Sequence, residues 1–437
     1  MTESSSTIKK IIKETVVSST SHGLPNIAQS ETLILKIFWI IVTLLSSGFC
    51  ALYIVLNVIS FYQYEVTTRT RIRYDLDTIF PSVTFCSDNY FPSEYGQTFE
   101  KEKLNEYNTL KDQIYYKPHY PIQAALKFSK NLTIFKKFGY SLKELVEYAD
   151  FNFVYVNYET SFKHVLLPRF GNCFTFNPGF YENGTNRDPS RSFKAGYESG
   201  FKLYSKTSSY GSSGVVYVHD FGSSPLTTYP IFVHPGQVTN IILKRTKMTQ
   251  IPKPYSKCDP DTDDPNKYNS DLFKFLHNSK FKYSQKLCLD LCFHEFLLKN
   301  CSCYFFYLTQ FANGNPCLTE SGYECNIKFW QIFTERDYLN KFCLPRCPLE
   351  CESMSFISLT SIELAGYTSP VIRVYFEDFG VTEIEENEAM DSVTLISNIG
   401  GILGLFLGVS FLSFFEIFAL ILKCLLESFK NQIKETS

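Results

Sequence analysis

The chain has 437 residues and is close to neutral, with 42 Lys+Arg against 44 Asp+Glu. That balance excludes a nucleic-acid binder that relies on a strong positive footprint. Hydrophobic residues make up 44% and aromatics 16%, too much apolar material for a disordered chain.

In chain order, residues 1–34 read as a cytoplasmic N-terminus and 35–64 as a first membrane span. No charge falls between Lys36 and Glu65. A run of about twenty apolar residues, at ~1.5 Å each, crosses the ~30 Å hydrocarbon core of a bilayer. The run starts too late and is too long for a cleaved signal peptide. The second span is expected over 392–426, with 427–437 as a cytoplasmic C-terminus. Two spans put both termini on one side. Lys9, Lys10, Lys13 and Lys36 precede the first span while Arg69, Arg71 and Arg73 follow it, so the positive-inside rule decides little. Cysteine usage decides it instead: of 14 cysteines, only Cys50 and Cys424 lie in or beside the spans. The other twelve fall between Cys86 and Cys351, and disulfides persist in oxidising compartments. Sequons at Asn131 and Asn183 lie in the same segment. Residues 65–391 are therefore expected outside a cell membrane, glycosylated, with both termini inside.

This extracellular segment reads as α+β. Strand-like runs such as 214–219 (GVVYVH), 237–244 (QVTNIILK) and 371–376 (VIRVYF) are rich in β-branched and aromatic residues. Residues 271–299 and 326–341 read as helical, and 259–269 as a polar Asp/Pro loop. The cysteines at 288, 292, 301, 303, 317, 325, 343, 347 and 351 lack the paired C-x2-C spacing of a zinc site. Cys288-x3-Cys292 instead places two thiols on one helix face, and Cys343, Cys347 and Cys351 repeat the spacing. Antiparallel segments with such spacing can be stapled like rungs, with the connectivity left open by the residues alone.

An acidic run, Glu383, Glu385, Glu386, Glu388 and Asp391, precedes the second span. It reads either as a solvated stalk or as a charged pore mouth. Within the span, Gly400, Gly401, Gly404 and Gly408 alternate with Ser397, Ser410 and Ser413, and Glu416 follows. Small residues permit close helix packing, or leave room for carbonyls and hydroxyls to replace water around an ion. A carboxylate inside a span faces a water-filled path or a partner. The apolar stretch is longer than a bilayer needs, so a tilt or a break is expected at these glycines.

Several motifs, in order along nearly the whole chain, resemble the degenerin/epithelial sodium channel/acid-sensing channel family. They are Ser21-His22-Gly23, Phe80-Pro-Ser-Val-Thr-Phe-Cys86, Gly171-Asn-Cys-Phe-Thr-Phe-Asn177, Pro252-Lys-Pro-Tyr-Ser-Lys-Cys258, Tyr283-Ser-x3-Cys288-x3-Cys292 and Gly408-Val409-Ser410. The resemblance implies a trimeric, sodium-preferring, amiloride-blocked cation channel with a palm, β-ball, finger and thumb, the thumb spanning about 255–356. It implies the pairs Cys86–Cys173, Cys258–Cys351, Cys288–Cys347, Cys292–Cys343, Cys301–Cys325 and Cys303–Cys317. It also implies that Gly408, Val409 and Ser410 form the selectivity filter and that the His22-Gly23 loop supports it. Gly404 falls at the blocker position, Ser397 near the gate and Glu416 below the filter. Tyr64 and Tyr255 sit where two aromatics couple the first span to the thumb.

The departures from the family pattern bear on gating. Acid-sensing members carry a His pair after the first span, where this chain has Glu65 and Val66. Segments 207–215 and 326–341 hold few acids, only Glu335 and Asp337. Proton gating needs groups that titrate near physiological pH, so a neuropeptide of the invertebrate (cnidarian-type) amidated class is the expected extracellular ligand, with proton gating the alternative. Asp391 with Glu388 is expected to tune Ca²⁺ permeation or block. A trimeric ATP-gated channel would lack these motifs. No nucleophile motif, metal-ligand set or phosphate loop suggests an enzyme or a cofactor. A non-conducting membrane receptor is the reading from another class.

Overall fold

The computed structural model describes residues 14–15, 17–19, 21, 23–108, 136–167, 170–181, 184–206, 213–279, 281–303, 320–334, 338–364, 366 and 368–436. His22, Asn131, Asn183 and Cys317 lie outside the described residues. The chain divides into two compact units, Thr68–Glu386 and a second made of the residues on either side of it.

The flanking unit is helical. Its elements are α1 (Gly23–Gln29), α2 (Leu33–Tyr62), α9 (Ser392–Leu407) and α10 (Phe411–Thr436). The 30 residues of α2 present exposed Ile37, Leu44, Leu52 and Leu56, an outward apolar surface that only lipid satisfies. It starts two residues before the expected 35 and ends two before 64. Only α2 is by itself long and apolar enough to cross a membrane among the described residues; α9 and α10 together qualify as one span bent by 72°. The span expected over 392–426 is thus broken where its glycines lie, and α10 runs on through the segment read as a cytoplasmic tail.

The central unit is α+β. Its strands are β1 (Val66–Tyr74), β2 (Ser82–Ser87), β3 (Val146–Phe151), β4 (Phe162–Leu167), β5 (Gly171–Phe176), β6 (Phe201–Ser205), β7 (Gly214–His219), β8 (Ile231–Val233), β9 (Gln237–Thr249), β10 (Glu352–Leu364) and β11 (Val371–Glu388). One sheet has the order β10-β9-β11-β6-β3 with a short strand Val154–Tyr155 beyond, and β1 also pairs with β11. A second sheet has the order β8-β7-β2-β5-β4. Their facing sides share one core, in which Phe80, Phe85, Phe176, Phe201, Ile241 and Phe376 are at most 2% exposed. Phe176 stacks on Phe201 at 4.4 Å and Phe80 meets Phe376 edge-on at 5.5 Å, contacts that aromatic quadrupoles favour.

Strands 237–244 and 371–376 prove longer than their apolar runs. β9 pairs antiparallel with β10 through Thr249↔Glu352 and parallel with β11 through Thr249↔Glu385. The polar halves are held by the ladder, with Arg245 and Glu383 buried among them.

Helices α3 (Glu94–Asn108), α4 (Leu142–Leu145) and α5 (Tyr158–Ser161) connect the earlier strands, and the thumb carries α6 (Asp271–Asn278), α7 (Gln285–Cys301) and α8 (Glu320–Thr334). The expected helical region 271–299 is split because Ser270 and Ser284 each cap a new helix, accepting from Phe273 N and Leu287 N. The region 326–341 yields α8 and a short π-turn, Leu339–Cys343. Five of the six disulfides implied by the resemblance are bonded, from Cys86–Cys173 and Cys258–Cys351 to Cys288–Cys347, Cys292–Cys343 and Cys301–Cys325. Cys303 is also disulfide-bonded. The rungs from α7 bury their sulfurs against Phe273, Leu287 and Leu291, so covalent and apolar cohesion coincide.

The candidate pore and its supports

The second span begins with a cap. Asp391 Oδ1 accepts from Thr394 N at 2.7 Å, and bonding to Thr394 holds this exposed carboxylate below its ordinary range. A negative charge here also suits the positive end of α9. Along α9, Ser397, Gly400, Gly401 and Gly404 are exposed, and no atom lies within 4 Å of a Cβ built on Gly400 or Gly401. The opposite face packs on α2. Phe406 stacks against Phe49 and Tyr53, and Asn398 Nδ2 donates to Asn57 Oδ1 at 3.1 Å. An amide pair between two apolar helices satisfies groups that hydrocarbon cannot.

At Leu407 the helix stops. Gly408 lies at φ 67° and ψ 17°, the left-handed region that costs a side chain about 1–2 kcal/mol, and it donates to Gly404 O at 3.0 Å. Val409 N reaches Leu403 O at 3.3 Å. The chain then restarts at Ser410, whose backbone N–H donates to Ser413 Oγ at 3.0 Å while Ser413 N donates to Ser410 O. The Ser413 hydroxyl thus supplies one half of a capping box, the bond from the third helical residue back to the cap N–H. The break therefore has a cause in each residue: a left-handed cap at 408 and a new N-cap at 410. A helix end also leaves carbonyls without intrahelical donors, the group type that can replace water around a cation.

One contact brings the N-terminal motif to this break and another sets it against α2. Ser21 Oγ donates to Leu407 O at 3.4 Å. Gly23 lies so close to α2 that a Cβ there would sit 2.6 Å from Thr43 Oγ1. Ser413, Thr43, Asn57 and Asn398 were not singled out by the motif analysis as site residues. Polar residues inside apolar spans were the available signal. Glu416 is on α10 and half-buried; Tyr64 follows α2 at φ 53° and Tyr255 lies in the extracellular unit.

The acidic run is largely not a pore mouth. Glu383, in β11, is only 7% exposed and is gripped by two arginines of β1: Arg71 Nε at 2.6 Å and Arg73 Nε at 3.0 Å. Arg71 Nη2 also reaches Glu385 at 2.9 Å. The Arg71 hydrogen bond holds the Glu383 carboxyl below its ordinary range. Glu386 accepts from Gln250 Nε2 and Ile251 N, both at 3.2 Å. Strand pairing brings β1 alongside β11, and the arginines after the first span neutralise these acids. Only Glu388 and Asp391 are left exposed and outside these ion pairs. Among the described residues no group of His, Cys, Asp and Glu could hold a metal ion.

Two histidines are sealed in the extracellular unit. Burial lowers the pKa of His219 to about 3 and of His294 to about 4.

Comparison with known proteins matches these features to one family. The chain is 23% identical to acid-sensing ion channel 1 of Gallus gallus, covering 92% of this chain and 81% of that one. It is 23% identical to the human bile acid-sensitive ion channel over 94% of this chain and 85% of that protein. Epithelial sodium channel subunit beta-2 of Xenopus laevis is 24% identical over 61% of this chain and 45% of its own length. A cryo-EM structure of a proton-activated chloride channel aligns with 88% of this chain and 97% of its own at 5% identity and a TM-score of 0.33, a level that carries no argument. A family model described as amiloride-sensitive sodium channel matches residues 16–420. The chain therefore belongs to the amiloride-sensitive sodium channel family, whose members are ion channels of the plasma membrane and not enzymes.

Proposed function

We propose that this chain is one subunit of a trimeric, sodium-preferring cation channel in the plasma membrane, with both termini cytoplasmic, blocked by amiloride and opened by an extracellular neuropeptide. The observation that carries the pore reading is the 72° break between α9 and α10, with Gly408 left-handed at its centre. Gly408, Val409 and Ser410 are the filter in this reading. The segment with Ser21, His22 and Gly23 supports it from the cytoplasmic side. Gly404 takes the blocker, Ser397 lies near the gate and Glu416 is the carboxylate below the filter. Threefold repetition makes rings of Asp391 and Glu388, which raise the local cation concentration and favour Ca²⁺ at the mouth. Asn131 and Asn183 carry glycans on the extracellular unit.

Peptide gating is preferred to proton gating for two reasons. Glu65 and Val66 replace a histidine pair. His219 and His294 stay neutral far below the pH range in which a proton sensor works. The second reading, proton gating, is favoured by the relative named an acid-sensing channel. Two-electrode voltage clamp of oocytes separates them. Expected is an inward sodium current on application of an amidated peptide, abolished by amiloride, with none on a step from about pH 7.4 to about pH 5. Current from the acid step and none from peptide would overturn peptide gating. Peptide binding at the cell surface with no current would point to a receptor without a pore.

A further inference from the structure

The extracellular unit holds a cavity of about 660 Å³ beside the edge strand β4. That volume is in the range of small-molecule sites, roughly 300–1,000 Å³. Tyr158, Phe162 and Phe180 line it, and Lys143, Lys163 and Arg187 bring three fixed positive charges. Glu159 is the single carboxylate among the described lining residues, and it meets Lys143 only at 3.9 Å with both side chains exposed. Such a pair does little to neutralise the site. Lys163 Nζ lies 3.4 Å from the centre of the Phe180 ring.

Arg187 is the telling group. It is half-buried, its Nη1 donates to Thr160 O at 2.5 Å, and its guanidinium lies 5.6 Å from the Tyr181 ring. No carboxylate among the described residues reaches it. Burial lowers its pKa, opposed by Tyr181 beside it. An arginine presents five donors in a planar fork matched to a carboxylate, and this one has used one of them on a carbonyl. A second cleft, of about 420 Å³, differs on this point. There Lys282 is paired with Asp220 at 2.8 Å and Glu350 accepts from Gln285 N, so its charges are spent on the protein.

We propose that the cavity beside β4 is a binding site for a small aromatic carboxylate, with the carboxylate on Arg187 and the ring against Tyr158, Phe162 and Phe180. A cationic amidated peptide has neither the charge nor the carboxylate for this site, so its ligand is distinct from the opener proposed above.

The test uses the whole chain in lipid nanodiscs, with 1-naphthoate as probe and neutral 1-naphthalenemethanol as control, read by saturation-transfer NMR and calorimetric titration. Naphthoate should bind and the alcohol should not at the same concentration. Arg187→Gln should weaken naphthoate by about tenfold or more, and Arg187→Lys by less, because a lysine keeps the charge and loses the fork. Glu159→Gln should tighten binding about two- to threefold by removing the competing carboxylate. Equal binding of acid and alcohol, or no binding of naphthoate, overturns the proposal. So does an unchanged naphthoate affinity in Arg187→Gln. Should Arg187→Gln fail to fold, Arg187→Lys and Glu159→Gln decide: naphthoate affinity unmoved in both overturns it.

Discussion

The two units of this chain solve opposite problems. The extracellular unit hides its apolar residues around stacked phenylalanines and pins the thumb with cross-links, because water surrounds it. The helical unit turns its apolar residues outward and keeps its polar pair, Asn57 and Asn398, between helices. Without a hydrophobic drive between helices in lipid, it relies on small residues, backbone geometry and close contacts. One unit is therefore held by covalent bonds and burial, and the other by conformations that only particular residues adopt.

Breaking a cross-link should cost most. Replacing Cys288 and Cys347 together with serine opens a loop that the intact Cys292–Cys343 rung limits to about ten residues, whose closure contributes about 3 kcal/mol. Folded, surface-exposed protein should fall sharply, measured by surface biotinylation and by the melting of detergent-purified protein. Replacing Gly408 with valine should do the reverse. It forces a β-branched residue into a left-handed position at a cost of about 1–2 kcal/mol, so surface protein should persist while macroscopic current drops at least about tenfold.

Acid tests the extracellular unit alone. His219 and His294 have folded pKa values of about 3 and about 4, below the ordinary value of about 6.5. Between those limits the unfolded chain binds protons that the folded chain does not, so stability is full above about pH 6.5 and declines as pH falls toward 4. The carboxyl of Glu383, held low by Arg71, adds a further loss below the ordinary carboxylate range. Melting should occur several degrees lower at about pH 5 than at about pH 7.5, with no channel opening. A flat profile would mean that both imidazoles are accessible.

Smaller effects sharpen the account of the helical unit. Gly23→Ala puts a methyl group 2.6 Å from Thr43 Oγ1, and should reduce current a few-fold. Thr43→Ala removes the obstructing atoms, so the double variant should recover, as a shared contact requires. Asp391→Asn keeps a good N-cap while deleting a charge. It should leave expression unchanged and shift Ca²⁺ block by about two- to threefold, read from current at graded Ca²⁺.

Much of this was legible because it is local. A charge-free run is a span wherever it falls, and Cys288-x3-Cys292 lies on one helix face in any helix. Gly408 and Ser410 were legible as a motif, and their local reason is visible in the φ of one and the cap on the other. The acidic run stayed ambiguous in the sequence for the opposite reason. Glu383, Glu385 and Glu386 sit in one sequence segment, but their partners Arg71, Arg73, Gln250 and Ile251 come from segments more than a hundred residues away. Packing also brings together closer partners that no local pattern announces, Thr43 under Gly23 and Arg187 against Thr160.

By itself, the sequence determined the two long apolar stretches, the cysteine-rich segment between them and the site of the break, since these depend on composition, cysteine distribution and backbone preference at single residues. The tertiary structure decided which charges survive as free charges. An ion pair depends on what strand pairing and packing bring within about 3 Å, and that distance is set by the whole fold.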